Sequence, residues 1–519
     1  MKKNVTCYKQ IVILLAILIC FFTSPAKQLI VAVGEEPATL DPAIDYTFGT
    51  LPIFYNVYEK LVEYDPNTNV IIPALAISWE TSEDGLQYIF RLREGVQFHD
   101  GSEFDAYAVK FAYDRVMTLN VGPAWMLVDY VKNIDVLDKF IVAFTLYKPF
   151  APFVKLLASS WGMWIPSPFA IQQHDVGDFA QGWLRTHAVG TGPYKLVAWV
   201  ERQQFILERF ENYWKGWSDA LHHLDKIVLV LIPDPASRVL LLEAGAVDVA
   251  YNVPLAEVNR LKLNPNIRVE VHSTFVTQMI AMNTTRPLLN NKLVRQAISY
   301  AFDYTSALAA FEGYAPRLAG VLPEGMFGAL SLAYEYNIEK AVELLEQAGV
   351  TLNGLQFEFT WVTEEPEGRH LGLVLQSALR KLGADLLITE VTVASHWDRI
   401  MDPETTPDFA CYRWCPDFPD PLSILIPLYH GDYFPPKGYN IARHSIYEVN
   451  EALAAAEIER DESVRLEWIW KVQHRLLEEA SNLWVCTVPI AVAMRANVYG
   501  YKFNALAFAA FNFYDMYKL

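Results

Sequence analysis

Hydrophobic positions along the chain alternate between a period of two, typical of strands, and a period near 3.6, typical of helices. Strands are predicted where apolar and β-branched residues cluster: 27–34, 88–93, the hairpin 134–147, 226–232 and 385–391. Helices are predicted where apolar residues recur every three or four positions: 51–61, 105–116, 291–311, 337–349 and 368–382. Alternation without a fixed repeat predicts an α/β fold with mixed sheets.

The first 26 residues differ from the rest of the chain. Three lysines precede an apolar stretch over 11–22, and small residues follow up to Ala26. This pattern predicts a secretory signal peptide (1–26), because the stretch is shorter than the ~20 residues that a membrane anchor needs. Cys20 follows Ile19 instead of the small residue usual before a lipidated cysteine. We therefore expect an exported protein, periplasmic or at the outer face of the cytoplasmic membrane, with retention as an anchor or lipidation as alternatives.

Length and charge narrow the possible classes of protein. At 519 residues the chain exceeds the ~250–300 residues at which one hydrophobic core stops growing, so two or more lobes are expected. Hydrophobic residues make up 52% and charged residues 20%, which indicates a folded protein. The formal net charge is −18 and no basic run occurs, so nucleic acid is excluded as an expected partner.

Cysteine usage indicates neither a disulfide framework nor a metal site. Removal of the signal peptide leaves Cys411, Cys415 and Cys486, too few for a framework. If the first two lie on a strand, they are ~13 Å apart, beyond the reach of a disulfide. No histidine pair accompanies them to complete a zinc site. Buried, unreactive thiols are the expectation.

Motifs of common enzymes are missing from the sequence. The segment 190–194, GTGPY, lacks the third glycine of a dinucleotide fingerprint and the lysine of a P-loop, so it is interpreted as a tight structural turn. No G-x-S-x-G or H-E-x-x-H motif occurs. The adjacent Glu364 and Glu365 are interpreted as solvated surface charge. The sequence therefore predicts a protein that is not an enzyme and needs no cofactor or metal, with an exported hydrolase as an alternative.

One segment combines carboxylates with aromatic rings. It reads CYRWCPDFPDPL over 411–422 and surrounds two aspartates with three rings: Asp417 and Asp420 with Tyr412, Trp414 and Phe418. A carboxylate flanked by aromatic rings suits a ligand with a cationic or hydrogen-bonding head and an apolar or ring-shaped body. A proline-rich turn that only caps a strand is an equally good interpretation.

Several longer motifs resemble the peptide-binding family of ABC importer receptors across nearly the whole mature chain. The longest is PALAISWETSEDGLQYIFRLREGVQFHDGSEFDAYAVKFAYDRV at 73–116. Five more follow in order: GTGPYKLVAW at 190–199, ENYWKG at 211–216, LLEAGAVDVA at 241–250, MNTTRPLLNNKLVRQAISYAFD at 282–303 and AVELLEQAGV at 341–350. On these motifs the sequence is identified as a member of the extracellular solute-binding proteins of the peptide, oligopeptide and nickel type, family 5.

The resemblance implies a two-lobed periplasmic-binding-protein fold, type II-like with an extra subdomain, mixed sheets and a hinge. Lobe I is expected to comprise 27–56, 188–280 and 488–519, with an inserted subdomain at 57–187. Lobe II is expected at 281–487. Members of the family close the lobes around a solute and deliver it to permease subunits at the membrane. We expect a monomer.

The resemblance also implies ligand-binding residues. Asp417 matches the aspartate that pairs with the ligand's α-ammonium group, and Trp414 is placed to line the pocket. The loop after the LDP motif is similar to one that faces the ligand from the first lobe: Tyr46, Thr47 and Phe48. Four further aromatic residues complete the expected site: Tyr412 and Phe418 beside the aspartate, and Trp161 and Trp164 for their rings alone.

One stretch departs from the pattern of dipeptide-specific members. They carry an arginine for the ligand carboxylate on the strand before the helix near Gly368, where this sequence reads WVTEE at 361–365. The lack of a cation there argues against strict dipeptide recognition. The same fold serves oligosaccharides and nickel-type ligands in other members, and the 14 tryptophans keep sugars as an alternative because rings stack on sugar faces. Peptides are the expected ligands, with oligosaccharides as the alternative.

Overall fold

The computed structural model describes residues 27–217 and 223–519. The predicted signal peptide and its cysteines, Cys7 and Cys20, lie outside the described residues. Within them, no helix combines the length and apolar character needed to cross a membrane.

Eighteen strands occur in the described residues. In chain order they are β1 (Gln28–Val33), β2 (Val62–Asp65), β3 (Val70–Pro73), β4 (Ala76–Thr81), β5 (Gln87–Leu92), β6 (Val131–Asp138), β7 (Ile141–Leu146), β8 (Tyr194–Val200), β9 (Gln204–Arg209), β10 (Lys226–Leu231), β11 (Val249–Ala250), β12 (Ile267–Met282), β13 (Gln356–Val362), β14 (Asp385–Val391), β15 (Phe409–Trp414), β16 (Asn482–Arg495), β17 (Val498–Tyr499) and β18 (Tyr517–Lys518).

Sixteen α-helices accompany these strands in the same part of the chain. They are α1 (Leu51–Val57), α2 (Ala106–Leu119), α3 (Trp125–Val128), α4 (Phe153–Leu156), α5 (Pro168–His174), α6 (Gln181–Leu184), α7 (Pro235–Glu243), α8 (Val258–Leu261), α9 (Lys292–Ala301), α10 (Tyr304–Leu308), α11 (Ile338–Ala348), α12 (Glu367–Lys381), α13 (Val393–Met401), α14 (Leu422–Tyr429), α15 (Tyr447–Ile458) and α16 (Glu462–Glu479).

A ten-stranded mixed sheet runs through the molecule in the order β14-β13-β15-β12-β16-β11-β1-β10-β9-β8. Its two central strands are the longest, with 16 residues in β12 and 14 in β16. Residues 267–273 of β12 pair with 489–495, and residues 277–281 pair with 482–487. The register shifts between these two stretches. We call the strands beyond β16 the β1 side and those beyond β12 the β13 side; β12 and β16 join the two.

A second, four-stranded sheet, β4-β5-β7-β6, lies in the segment between α1 and β8, which we call the insertion (57–187). Its buried residues form one hydrophobic cluster with those of α14, α15 and α16. A separate cluster fills the β13 side, and two more flank the sheet on the β1 side. The insertion therefore packs against helices that follow the β13 side in sequence.

Most predicted elements are confirmed, because local signals define them. The Asn337 side chain accepts a hydrogen bond from Lys340 N at 2.9 Å and caps α11, which ends at Gly349 in the left-handed conformation. Asp105 caps α2 in the same way. The strand predicted over 385–391 is β14, and the predicted hairpin consists of β6 and β7.

Two predicted helices are shorter in the structure. The helix expected over 291–311 ends at Ala301, because Phe302 is extended and Asp303 starts a new helix by accepting a hydrogen bond from Ser306 N at 3.0 Å. The helix expected over 51–61 ends at Val57, because the next residue is extended. Neither break contains the glycine or proline that marks helix ends most clearly in a sequence.

The glycine-rich segment at 190–194 is the structural turn that the sequence predicts. Gly192 N donates to the carbonyl oxygen of Val57, at the end of α1, over 3.0 Å. A Cβ on Gly190 would lie well under 3.0 Å from that oxygen. Thr191 Oγ1 donates to the buried Glu59 carboxylate over 2.8 Å. The two glycines are needed because the backbone passes too close to α1 for any side chain.

We expect Gly190→Ala to lower the free energy of unfolding by about 1 to 3 kcal/mol, because the added methyl group forces the turn away from α1. Urea denaturation followed by circular dichroism measures this change. Gly182→Ala, in α6, is the control: its Cβ would meet only a flexible carboxylate oxygen of Asp178, at 3.1 Å. Equal midpoints for wild type and Gly190→Ala would contradict the close-packing argument.

Candidate functional site

A cavity of about 1250 Å³ lies where the β1 side, the β13 side and the insertion meet. Small-molecule sites typically enclose ~300–1,000 Å³, so a ligand larger than one amino acid fits. Ten aromatic side chains line it, including four tryptophans: Trp125, Trp161, Trp397 and Trp414. The cavity is therefore a chamber rich in aromatic residues and built from all three parts of the fold.

Asp417 lies on the cavity wall in the loop after β15, and its side chain is only 7% exposed. The loop is fixed by Ser423, whose Oγ accepts hydrogen bonds from Asp417 N at 2.6 Å and Phe418 N at 3.3 Å. From the insertion, Ser159 Oγ donates to the Asp417 carbonyl oxygen over 2.7 Å. The carboxylate is thus held in place by contacts to its backbone.

The Asp417 carboxylate has few hydrogen-bonding or ionic partners among the described residues. It accepts a hydrogen bond from the Tyr46 hydroxyl, and no salt bridge reaches it from any described residue. Burial raises its pKa to about 7, although the Tyr46 hydrogen bond acts in the opposite direction. The nearby Cys415 thiol and Tyr439 hydroxyl also have pKa values raised by burial and then by Asp417, so neither supplies a positive charge. A buried carboxylate in this state suits a cationic ligand group.

Aromatic rings flank Asp417 from two sides. From the β1 side and the insertion, Tyr46 and Phe48 pack edge-on against Trp161 with ring centroids 5.1 and 5.5 Å apart. From the β13 side, the Trp414 ring lies 5.0 Å from that of Tyr439. Five residues that the sequence proposed therefore line the same cavity: Tyr46, Phe48, Trp161, Trp414 and Asp417.

Two other proposed residues, Thr47 and Trp164, lie outside the cavity wall. The Thr47 hydroxyl bonds the carboxylate of Asp45 at 3.0 Å, which shapes the loop. Trp164 is 1% exposed and packs under the ammonium group of Lys60, 4.4 Å from the ring centroid. Both side chains serve the fold, and proximity in sequence to Phe48 and Trp161 does not bring them to the cavity.

Tyr412 and Phe418 also lie away from the wall, although they flank the aspartate in sequence. The Tyr412 hydroxyl donates to Asn482 Oδ1 at 3.0 Å inside the core. Phe418 is 3% exposed and meets Phe150 of the insertion edge-on, with centroids 6.3 Å apart. Their rings stabilise the junction behind Asp417.

Asp420 belongs to a buried ion-pair cluster. Its carboxylate accepts hydrogen bonds from Nη1 and Nη2 of Arg465 in α16, at 2.9 and 2.6 Å. It also accepts one from Nζ of Lys155 in α4, at 3.2 Å. Burial alone would raise its pKa, but the two cations hold the pKa below its usual range. Because Lys155 is in the insertion, the cluster also ties the insertion to the helices that follow β15.

Sequence reasoning missed Arg413, which lies on the cavity wall. Its Nε donates to Gln278 Oε1 at 2.8 Å, and its guanidinium pairs with Glu365 at 3.3 Å and Glu367 at 3.0 Å. The interpretation as solvated surface charge is wrong for Glu365, which is half-buried and whose pKa burial raises. Glu364 is exposed, as expected, but it also lines the cavity. The guanidinium that lies beside residues 361–365 is that of Arg413, which belongs to the segment around Asp417 and not to 361–365 itself.

The described cysteines are all free, as predicted for Cys411 and Cys415. Cys411 and Cys486 are buried, and burial raises the pKa of the Cys486 thiol to about 12. Cys415, which the sequence predicts to be buried, is instead half-buried on the cavity wall. In residues 27–217 and 223–519, no group of three or more His, Cys, Asp or Glu side chains is placed to hold a metal.

Comparison with known proteins adds a family and a fold. A family model described as bacterial extracellular solute-binding proteins, family 5 Middle, matches residues 70–435. The probable D,D-dipeptide-binding periplasmic protein DdpA of Escherichia coli K12 is 28% identical over 499 residues, covering 95% of each chain. The glutathione-binding protein GsiB of Salmonella typhimurium LT2 is 29% identical over 439 residues, or 83% of each chain. Both relatives are named as binding proteins, not as enzymes.

A solved structure gives the same result for the fold. The ABC transporter-associated periplasmic binding protein DppA from Helicobacter pylori, in complex with the peptide STSA, matches with a TM-score of 0.79 at 28% identity. The match covers 95% of this chain and 98% of that one. The predicted α/β, two-lobed periplasmic-binding-protein fold is confirmed.

We expect Arg465→Met to lower the free energy of unfolding by about 3 to 5 kcal/mol, because it leaves the buried Asp420 without its bidentate partner. Lys148→Met is the control, since it breaks a more exposed pair with Glu457, at 2.7 Å, and should cost less than about 1 kcal/mol. Urea unfolding measures both. Similar losses in the two variants would contradict a structural role for the Asp420 cluster.

Proposed function

The chain belongs to family 5 of the bacterial extracellular solute-binding proteins, and on this basis we propose that it is the peptide-binding receptor of an ABC importer. It acts as a monomer outside the cytoplasmic membrane and delivers its ligand to permease subunits. Support for a peptide ligand comes from the likeness to a relative named for D,D-dipeptide binding and to a peptide-bound structure.

The observation that carries the peptide assignment is the buried Asp417 carboxylate, which no described cation pairs with. It is the ligand-binding group for the α-ammonium of a peptide. A charge-assisted hydrogen bond of this kind contributes about 1.5 to 3 kcal/mol. Tyr46, Phe48, Trp161 and Trp414 then pack against the rest of the ligand.

Binding proceeds by closure of two lobes. Lobe I consists of 27–56, 188–280 and 488–519 with the insertion 57–187, and lobe II of 281–487. The hinge lies where the register of β12 against β16 shifts, between Ser273 and Thr277. A ligand that touches both lobes favours the closed form because it binds that form more tightly.

Oligosaccharides are the second candidate, and the four tryptophans on the cavity wall favour them. In that case the rings stack on sugar faces and Asp417 accepts hydrogen bonds from hydroxyl groups. Mass spectrometry of small molecules released when mature protein (27–519) is denatured distinguishes peptides from oligosaccharides directly.

We expect Asp417→Asn to weaken binding of trialanine at least tenfold, because the variant keeps the shape of the side chain but loses its charge. Isothermal titration calorimetry measures the change. Amino-terminally acetylated trialanine has no ammonium group, so it should not distinguish the variant from wild type. Asp138→Asn, at the exposed turn between β6 and β7, is the control.

Unchanged affinity of Asp417→Asn for trialanine would show that the ammonium assignment is wrong. If oligosaccharides are the ligands, Trp414→Ala should weaken binding more than Asp417→Asn does.

We expect the affinity for trialanine to fall about tenfold per pH unit as the pH drops below about 7. Burial raises the pKa of free Asp417 to about 7, whereas a bound ammonium group stabilises its charged form. At a pH below the pKa of ligand-free Asp417, peptide binding must therefore release a proton from its carboxyl group. Calorimetry between about pH 5 and pH 7 in buffers of different ionisation enthalpy measures the effect. In Asp417→Asn the slope should disappear; a slope that persists would assign the titration to another group.

A further inference from the structure

The charges on the cavity wall are strongly unbalanced. Six carboxylates line it: Glu35, Asp129, Glu364, Glu365, Glu367 and Asp417. Two cations, Arg413 and Lys437, face them, which leaves a formal net charge of −4. Because the cavity is partly enclosed, water screens these charges less than it screens charges on an open surface.

Arg413 does not offset the excess of negative charge on the cavity wall. Its guanidinium is already shared between Glu365, at 3.3 Å, and Glu367, at 3.0 Å. Two carboxylates on one guanidinium leave one negative charge at this edge of the cavity. A ligand carboxylate would have to displace one of the glutamates to reach Arg413.

Three of the other carboxylates are not neutralised by a direct ion pair. In the part of the chain that the structure describes, Glu35, Asp129 and Glu364 form no salt bridge. Glu364 is exposed into the cavity next to the Arg413 cluster, and it further raises the pKa of Glu365, which burial raises first. The edge formed by Glu364, Glu365 and Glu367 therefore has charge available for a ligand.

The aromatic lining favours the same sign of charge. The face of an aromatic ring carries the negative part of its quadrupole and attracts cations, most strongly in tryptophan. Trp397 and Trp414 line the cavity together with the glutamate edge. The rings and the carboxylates therefore both favour a cationic ligand group and disfavour an anionic one.

We propose that the cavity selects peptides with a positive charge in addition to the α-ammonium group, namely a lysine or arginine side chain that binds at the Glu364–Glu365–Glu367 edge. This inference rests on the proposed function and specifies its ligand class. Arg413 and Asp417 are four residues apart, so their Cα atoms are separated by at most ~14 Å. A side chain on the second or third residue of an extended peptide spans such a distance.

The test compares three peptides that differ in one charge: Ala-Lys-Ala, Ala-Ala-Ala and Ala-Glu-Ala. We expect the lysine peptide to bind at least tenfold more tightly than the neutral one, and the glutamate peptide at least tenfold more weakly. Raising the ionic strength should narrow both ratios. Calorimetry on mature protein from which co-purified ligand has been removed gives the three dissociation constants.

Two variants locate the effect. Glu364→Gln should reduce the preference for Ala-Lys-Ala, whereas Glu346→Gln should not, because Glu346 is exposed on α11 and is not part of the cavity wall. The double variant Glu365→Gln, Glu367→Gln releases Arg413 and should bind Ala-Glu-Ala more tightly than wild type does. Thermal unfolding of each variant shows whether it remains folded.

The outcomes separate this inference from the proposed function. Equal affinity for the three peptides would overturn charge selection and leave peptide binding intact. Binding of spermidine, a carboxylate-free polycation, without binding of any peptide would support a cation-selective cavity and overturn the peptide assignment. If neither spermidine nor the peptides bind, both are overturned.

Discussion

Two strands carry the architecture, because β12 and β16 are the strands through which the main sheet passes from one side to the other. Their backbone hydrogen bonds continue into both sides, so the sides cannot separate without breaking the centre of the sheet. The register of this pair shifts between Ser273 and Thr277 and again between Gln278 and Met279. The hinge that we propose lies in this irregular stretch of the central ladder.

Two aspartates three positions apart illustrate how environment decides the role of a side chain. Asp420 is fully buried and receives a guanidinium and an ammonium group, so its charge is compensated inside the protein. Asp417 is nearly as buried but has only a neutral hydroxyl group as partner. The first stabilises the junction between the insertion and the neighbouring helices. The second lacks a compensating positive charge, which a ligand can supply. It is therefore the centre of the proposed site.

Local signals in the sequence predicted the fold well. Asn337 and Gly349 bound a helix through their own backbone and capping preferences, and the apolar run 385–391 forms a strand at its predicted limits. The break at Phe302 was not predicted, because it depends on tertiary packing of that ring and on a cap by Asp303. The order of motifs supplied the family, and family membership supplied the two-lobed arrangement that periodicity alone does not contain.

The site was only partly predictable, because the sequence does not reveal which aromatic residues face the cavity. Trp161 lines it and Trp164 is core, although they are three residues apart. Arg413 escaped notice because its partners, Glu365 and Glu367, are distant in sequence and meet it only after β13 and β15 pair. Long-range pairing of this kind is the information that a single sequence lacks.

The hydrogen bond from Ser159 to the Asp417 carbonyl oxygen couples the insertion mechanically to the residue that holds the ligand in our proposal. The hydroxyl of Tyr46, from the β1 side, contacts the carboxylate of the same residue. If the lobes separate as we propose, Asp417 loses both contacts in one movement, and its hold on the ligand weakens as the cavity opens. A transporter that opens the receptor would then need no separate mechanism to release the ligand, because lobe opening and the loss of the contacts that hold Asp417 occur together.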